Sequence, residues 1–216
     1  MTDFTLQQIV YALVLGARWT VLLSLAAFFF GGILGLVLML GTISRRRLVR
    51  LPALGFIWLI QATPLLMQLF LIFFGPALLG KDIPAWTAAC IALTLWSSAY
   101  LAEIWRGCVL AVQSGQTEAA LCLGMLRRQA LRHVVFPQAI RMALPPTAGF
   151  FVQIVKSTAL TSIVGFTELM KTGNILSNVT LDPFVVYGLV ALIYFCLCYP
   201  LSLASRKMET VFDVTR

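Results

Sequence analysis

Long apolar stretches divide the chain, and the charged residues between them mark where each stretch ends. Uncharged runs fill the intervals between Arg18 and Arg45, between Arg50 and Lys81, between Asp82 and Glu103, and between Asp182 and Arg206. A fifth run, from Met142 to Thr167, is interrupted once, by Lys156. Each is long enough to cross about 30 Å of hydrocarbon, which takes roughly 20 residues at 1.5 Å per residue. The pattern predicts an all-α, multi-pass membrane protein with five transmembrane helices, at about residues 19–44, 52–80, 83–105, 143–168 and 183–205. Residues 4–17 are apolar but too short to cross alone, and are expected to form an interfacial helix leading into the first span.

Composition agrees. Sixty per cent of the 216 residues are hydrophobic, 11% are charged, and mean hydropathy is +0.94. A soluble domain of this size carries about a quarter of its residues charged. The net charge of +8 would suit a nucleic-acid binder, but such a protein needs a water-soluble basic face, and this chain has too little polar surface. Topology explains the excess instead. With five spans, three segments share one side: Arg45, Arg46, Arg47 and Arg50; Arg106, Arg127, Arg128, Arg132 and Arg141; and Arg206, Lys207 and Arg216. The other side has Arg18, Lys81 and Lys171. Basic loops stay in the cytoplasm, so the N-terminus is expected outside and the C-terminus inside. The first basic residue is Arg18, so no basic n-region of a cleaved signal peptide is expected.

Within the spans, Gly31 and Gly35 form a G-x-x-x-G step that lets helices approach closely, either inside the chain or between chains. Pro64 and Pro145-Pro146 can free backbone carbonyls toward a cavity. The five cysteines show no metal-like spacing and are expected to be free thiols. His133 is the only histidine, so neither a catalytic triad nor a histidine metal cluster is expected. No G-x-x-x-x-G-K-[ST] phosphate-cradling loop occurs, and no acids sit at acid–base spacing. A transporter, a channel or a membrane scaffold remains.

The most informative stretch is the polar loop at 106–141, between the third and fourth spans. Ser114-Gly115 is expected to end one helix, and Thr117 to cap another with Glu118 in its first turn. That helix, EAALCLG, should stop at Gly124, and a second, MLRRQALRHVV, before Pro137. From physics alone, an amphipathic hairpin lying on the lipid headgroups satisfies the pattern.

The spacing says more. Glu118-Ala119-Ala120, then Gly124, then Val134-Val135-Phe136-Pro137 resembles the EAA loop of ABC importer permeases, with apolar exchanges at two positions and the glycine and proline in place. AYLAEIWRGCVLAVQSGQTEAA, FPQAIRMALPP, VKSTALTSIVGFTEL and TPLLMQLF are similar to the polar amino-acid subfamily, which commonly has Arg-Gly where Gln61-Ala62 stand here. The resemblance implies a type I permease subunit in a bacterial cytoplasmic membrane, with no ATPase site of its own. It implies two separate ATPase subunits holding ATP and Mg, a second permease subunit (like or related), and an extracytoplasmic solute-binding protein that delivers a polar amino acid. The loop would dock into a cleft on the ATPase, with Leu121, Leu123 and Met125 around Gly124 as apolar inserts. Glu118, Arg127 and Arg128 would form its charged rim.

For the solute path, the candidates are Lys156 with its polar neighbours Ser157, Thr158 and Thr161, and Gln61, Thr63 and Gln68 in the second span. Lys156 lies deep within a span, where a cation usually faces a cavity or a partner. It either attracts a substrate carboxylate, or snorkels, or pairs with Glu168 or a backbone carbonyl. Glu103 is expected to be structural, neutralised by Arg106 or Arg18. Two rivals stay open at this point. A secondary transporter would need coupling carboxylates at mid-depth, and a scaffold would leave Lys156 without a purpose.

Overall fold

The structure is a computed structural model that describes residues 5–212, and among these no strand occurs. The first helix, α1 (Leu6–Thr42), runs unbroken for 37 residues, about 55 Å. The expected interfacial element at 4–17 is therefore not separate, apart from Phe4, which lies outside the described residues. Uncharged runs mark hydrocarbon depth, not helix ends, and nothing between Leu6 and Arg18 breaks the helix. Its early residues Ile9, Leu13 and Ala17 are buried in a cluster with Leu169, Leu176, Val186 and Val190.

The second span is broken. Helix α2 (Arg47–Ala62) stops at Thr63-Pro64, and α3 (Leu65–Phe74) resumes in a new direction, the pair being bent by 101°. Proline has no N–H to continue the ladder and pushes the preceding residue to extended backbone; Thr63 sits at φ −110°, ψ 138°. A 3₁₀ turn, Pro76–Leu79, leads to α4 (Ala85–Ala111), the central helix of the bundle.

Helices α1 and α4 make the tightest crossing. Added Cβ atoms at Gly31 and Gly35 would lie 2.0 Å from Ser97 Oγ and 2.9 Å from the Ser98 carbonyl oxygen. The Ser97 hydroxyl donates to the Ala27 carbonyl at 2.9 Å. The G-x-x-x-G step therefore packs inside the chain, where absent side chains let the backbones meet.

Two short helices follow, α5 (Ser114–Cys122) and α6 (Arg127–Ala130). The chain then passes through a π turn, Leu131–Val135, directly into α7 (Phe136–Ser157). The expected stop before Pro137 does not occur. A proline ring clashes with the carbonyl four residues back, and the wider turn, in which Phe136 N–H donates to the Leu131 carbonyl, gives it room. Pro145-Pro146 likewise lie within α7 and do not open it.

The fourth expected span thus differs from a single rod over 143–168. Helix α7 ends at Ser157, a 3₁₀ turn covers Thr158–Ser162, and α8 (Leu169–Thr180) starts from an extended Glu168. The last helix is α9 (Pro183–Phe212). By length and apolarity, α1, α4 and α9 can each cross a membrane, and the bent α2–α3 pair can do so as one broken span. Helix α7, carrying Arg141, Gln153 and Lys156, is more polar. None of the five cysteines is paired.

Candidate functional site

Two places gather several of the residues singled out above: the turn between α5 and α6, and a cavity beside α4. Helix α5 begins at Ser114 behind an extended Gln113, so Thr117 lies inside it and does not cap it. Its other end closes as a Schellman turn. Gly124 has φ +82°, its N–H donates to the Leu121 carbonyl at 3.0 Å, and Met125 N–H reaches back to the Ala120 carbonyl at 3.1 Å. Both bonds use carbonyls that the helix end would otherwise orphan, and the left-handed backbone suits glycine. An added Cβ at Gly124 would meet nothing within 4 Å, so the glycine serves the backbone and leaves open space above it.

The surface around that turn is apolar at the tip and charged at the edges. Leu123 is 82% exposed and Leu126 is 70% exposed. Leu121 and Met125 are half-buried, Ala119 is exposed, and Ala120 is buried beneath the turn. Glu118, Arg127 and Arg128 are all exposed around them. Leu126, absent from the sequence-based set of inserts, projects with Leu123. A hollow of about 340 Å³ lies between Leu123, Gly124, Met125, Gln129 and His133. The second helix is anchored from below: Leu126 N–H donates to Gln129 Oε1 at 2.8 Å, and Ala130 is fully buried. Pro137 is exposed at the start of α7, where the π turn feeds this hairpin into that 22-residue helix.

The break at Thr63-Pro64 exposes carbonyls, as a proline inside a span should. A glutamine takes them up. Gln68 Nε2 donates to the carbonyls of Ile60 (2.8 Å) and Thr63 (3.1 Å) and approaches Thr63 Oγ1 (2.9 Å). Thr63 in turn donates to the Leu59 carbonyl at 2.9 Å. Gln68 is therefore the clasp of the kink, with its Oε1 buried and unpartnered. Gln61, one turn earlier, lines a cavity of about 400 Å³ with Tyr100, Glu103, Met142 and Pro146. Sequence separation hid this meeting of Gln61 and Glu103. Arg106, and not Arg18, neutralises Glu103: its Nε donates to Oε2 at 2.9 Å and an Nη donates to Oε1. Arg18 lies over the Trp19 ring instead.

Lys156 stands apart from that cavity. It is exposed on α7 and makes no ion pair; among the described residues the one ion pair is Arg106 with Glu103. Ser157 is half-buried beside it. Thr158 and Thr161 are buried, and their hydroxyls donate to the carbonyls of Val155 (2.8 Å) and Thr158 (2.7 Å).

Glu168 is not a partner of Lys156. Fully buried, it caps α8: Oε1 accepts from Lys171 N–H (2.8 Å), and Oε2 accepts from Met170 N–H (2.9 Å). Oε2 also accepts from the hydroxyls of Tyr194 on α9 (3.1 Å) and Thr20 on α1 (3.2 Å). One carboxylate thus ties three helices together, and every donor around it is satisfied.

Comparison with known proteins places this arrangement in a family. Residues 27–206 match the family described as binding-protein-dependent transport system inner membrane component. The probable amino-acid ABC transporter permease protein YckA of Bacillus subtilis is 35% identical over 90% of this chain and 86% of its own length. The L-cystine transport system permease protein TcyB of the same organism is 34% identical, covering 92% and 85%. The glutamine transport system permease protein GlnP of Escherichia coli is 31% identical, covering 91% of each. A crystal structure of an amino acid ABC transporter with histidines superposes with TM-score 0.91 at 37% identity, over 97% of this chain and 99% of that one. The inward-facing methionine ABC transporter MetNI shares the fold at 20% identity, with TM-score 0.78 over 99% and 100%. On the strength of the family match and of these relatives, the chain belongs to the binding-protein-dependent transport system inner membrane components.

Proposed function

We propose that this chain is the permease subunit of an ATP-binding cassette importer that carries polar amino acids across the bacterial inner membrane. The observation that carries the reading is the α5–Gly124–α6 hairpin. It has an apolar tip of Leu123 and Leu126, a rim of Glu118, Arg127 and Arg128, and an unbroken helical continuation into α7. A tip of that kind in a chain with no phosphate-binding loop suits insertion into a separate ATPase. The charged rim sets orientation more than affinity.

In this reading five segments cross the membrane, the N-terminus lies outside, and the C-terminus lies in the cytoplasm. Two ATPase subunits hold ATP and Mg and supply the hydrolysis, for which this chain has no site of its own. A second permease subunit, identical or related, completes the path, and an extracytoplasmic solute-binding protein delivers the amino acid. The path runs past the cavity of Gln61 and Glu103. Thr63 and Gln68 hold its kink open, while Thr158 and Thr161 shape the end of α7. Lys156, with Ser157, faces the path and attracts the substrate carboxylate.

The test is reconstitution of the assembled transporter in proteoliposomes with a panel of labelled amino acids. Uptake should require ATP and the loaded binding protein. Uptake driven by a proton or sodium gradient without ATP would overturn the reading in favour of a secondary transporter.

A further inference from the structure

Helices α4 and α7 carry two different cavities on two different faces. One is the pocket that Gln61 and Glu103 line. The other is a groove of about 760 Å³ between α1, α4 and α7, walled by Phe28, Phe29, Leu36, Met39, Val109 and Ile140. Helical periodicity turns Val109 and its neighbour Trp105 away from the Tyr100–Glu103–Gly107 face of α4, so the groove and the pocket lie on opposite faces of that helix. Its one hydroxyl, on Thr147, already accepts a hydrogen bond from Trp105 Nε1 at 2.9 Å. A polar solute would find no partner there.

The groove remains open in the folded subunit: Phe29, Ile33 and Ile140 are 62%, 53% and 59% exposed. On α1 it extends from Leu25 to Met39, about 21 Å of helix, somewhat more than the roughly 15 Å of one hydrocarbon leaflet. One end is basic. Helix α1 finishes at Thr42, a turn beyond Met39, and the chain then passes Arg45, Arg46 and Arg47. All three are exposed and unpaired with any carboxylate among the described residues. A hydrocarbon slot at least one leaflet deep, whose Met39 end lies six residues before the first of three exposed arginines, matches the chemistry of an anionic phospholipid.

We infer that this groove is a binding site for one anionic phospholipid, an acyl chain lying along Phe29, Leu36 and Ile140 and the phosphate held by Arg45, Arg46 and Arg47. The inference rests on the topology proposed above, which puts that end at the cytoplasmic leaflet. A helix of the second permease subunit is the competing occupant. The apolar walls fit either one, and the three unpaired arginines that follow α1 favour the lipid.

The test uses the assembled transporter in nanodiscs containing phosphatidylglycerol with a diazirine in one acyl chain, or the matching phosphatidylcholine probe. After illumination, peptides spanning Phe29–Leu36 and Ala139–Thr147 should carry the label. Phosphatidylglycerol should label them about five-fold or more above phosphatidylcholine, since each basic residue near an anionic surface contributes about that factor. Replacing Arg45, Arg46 and Arg47 together by Gln should bring the two probes level. Ala143→Phe, which fills the groove, should abolish labelling there. Equal labelling by the two lipids in the wild type, or an unchanged preference in the triple variant, would overturn the site. So would an unlabelled groove whose residues cross-link to the second permease subunit. ATP hydrolysis stimulated by the loaded binding protein is measured in the same discs. In the wild type its absence would count against the importer reading, and absent groove labelling with intact hydrolysis against the lipid site alone.

Discussion

Removing the Glu168 carboxylate should loosen the whole bundle, because its four donors come from three helices. In Glu168→Ala the N–H groups of Met170 and Lys171 and the hydroxyls of Thr20 and Tyr194 lose their acceptor inside a fully buried site. Each orphaned buried donor costs about 1–3 kcal/mol, and some recover partners, Thr20 among them through its backbone neighbours. A net loss of about 3–5 kcal/mol is expected, the range for breaking a buried charged network. For a chain of this length that lowers the unfolding midpoint by about 6–20 °C. Glu168→Gln is the informative companion. Its one oxygen can keep the three bonds of Oε2, leaving an amide N–H against Lys171 N–H, a loss of about 1–3 kcal/mol. The assay is a fluorescence-detected thermal scan of purified subunit in detergent at fixed scan rate, since unfolding of such proteins is read as a rate-dependent midpoint. Wild type, Gln and Ala should rank in that order. An Ala variant within 2 °C of wild type, or a Gln variant below Ala, would refute the stapling argument.

Gly31→Val forces a side chain against Ser97, whose Oγ would lie 2.0 Å from the new Cβ, and should destabilise the subunit by about 1–3 kcal/mol. Gly55→Val, where nothing lies within 4 Å, is the matched control, and equal midpoints for the two would refute the α1–α4 crossing. Alkaline-phosphatase fusions after Asp82 or Gly173 should be active and those after Arg50 or Arg128 inactive; the reverse pattern overturns the orientation. Lys156→Met keeps most of the side chain's volume and should leave assembly and basal ATP hydrolysis intact while transport collapses, with Lys156→Arg rescuing only in part. Normal transport by the Met variant would remove Lys156 from the path.

Local features were legible in the chain because their causes are local. Gly124 announces a helix end because only a residue at ease with positive φ closes a Schellman turn there, and the close approach of Gly31 and Gly35 follows from their missing side chains. Pro64 foretells the break of the second span. What the chain concealed depends on partners far along it. Glu168 gains its role from Thr20 and Tyr194, 148 and 26 residues away. Gln61 and Glu103 share a cavity only because α2 and α4 pack together. The passage through Pro137 was hidden for a different reason: a proline rule describes α-helix and is relieved when the turn widens to π. Charge-free runs locate helix ends poorly: α1 begins at Leu6 and not near Arg18.

The central claim, that the α5–α6 turn couples this subunit to an ATPase, is tested most directly by Gly124→Asp. The substitution burdens a backbone at φ +82° and puts a carboxylate beside the apolar tip of Leu123 and Leu126, where docking would have to desolvate it. The measurement is the amount of ATPase subunit recovered with affinity-purified permease, alongside the thermal midpoint of the permease itself. The account predicts a sharp fall in recovered ATPase with the midpoint lowered by only a few degrees, the local cost of a side chain at positive φ, because a Cβ at this position meets no neighbour within the subunit. Wild-type recovery of the ATPase together with wild-type transport would contradict it.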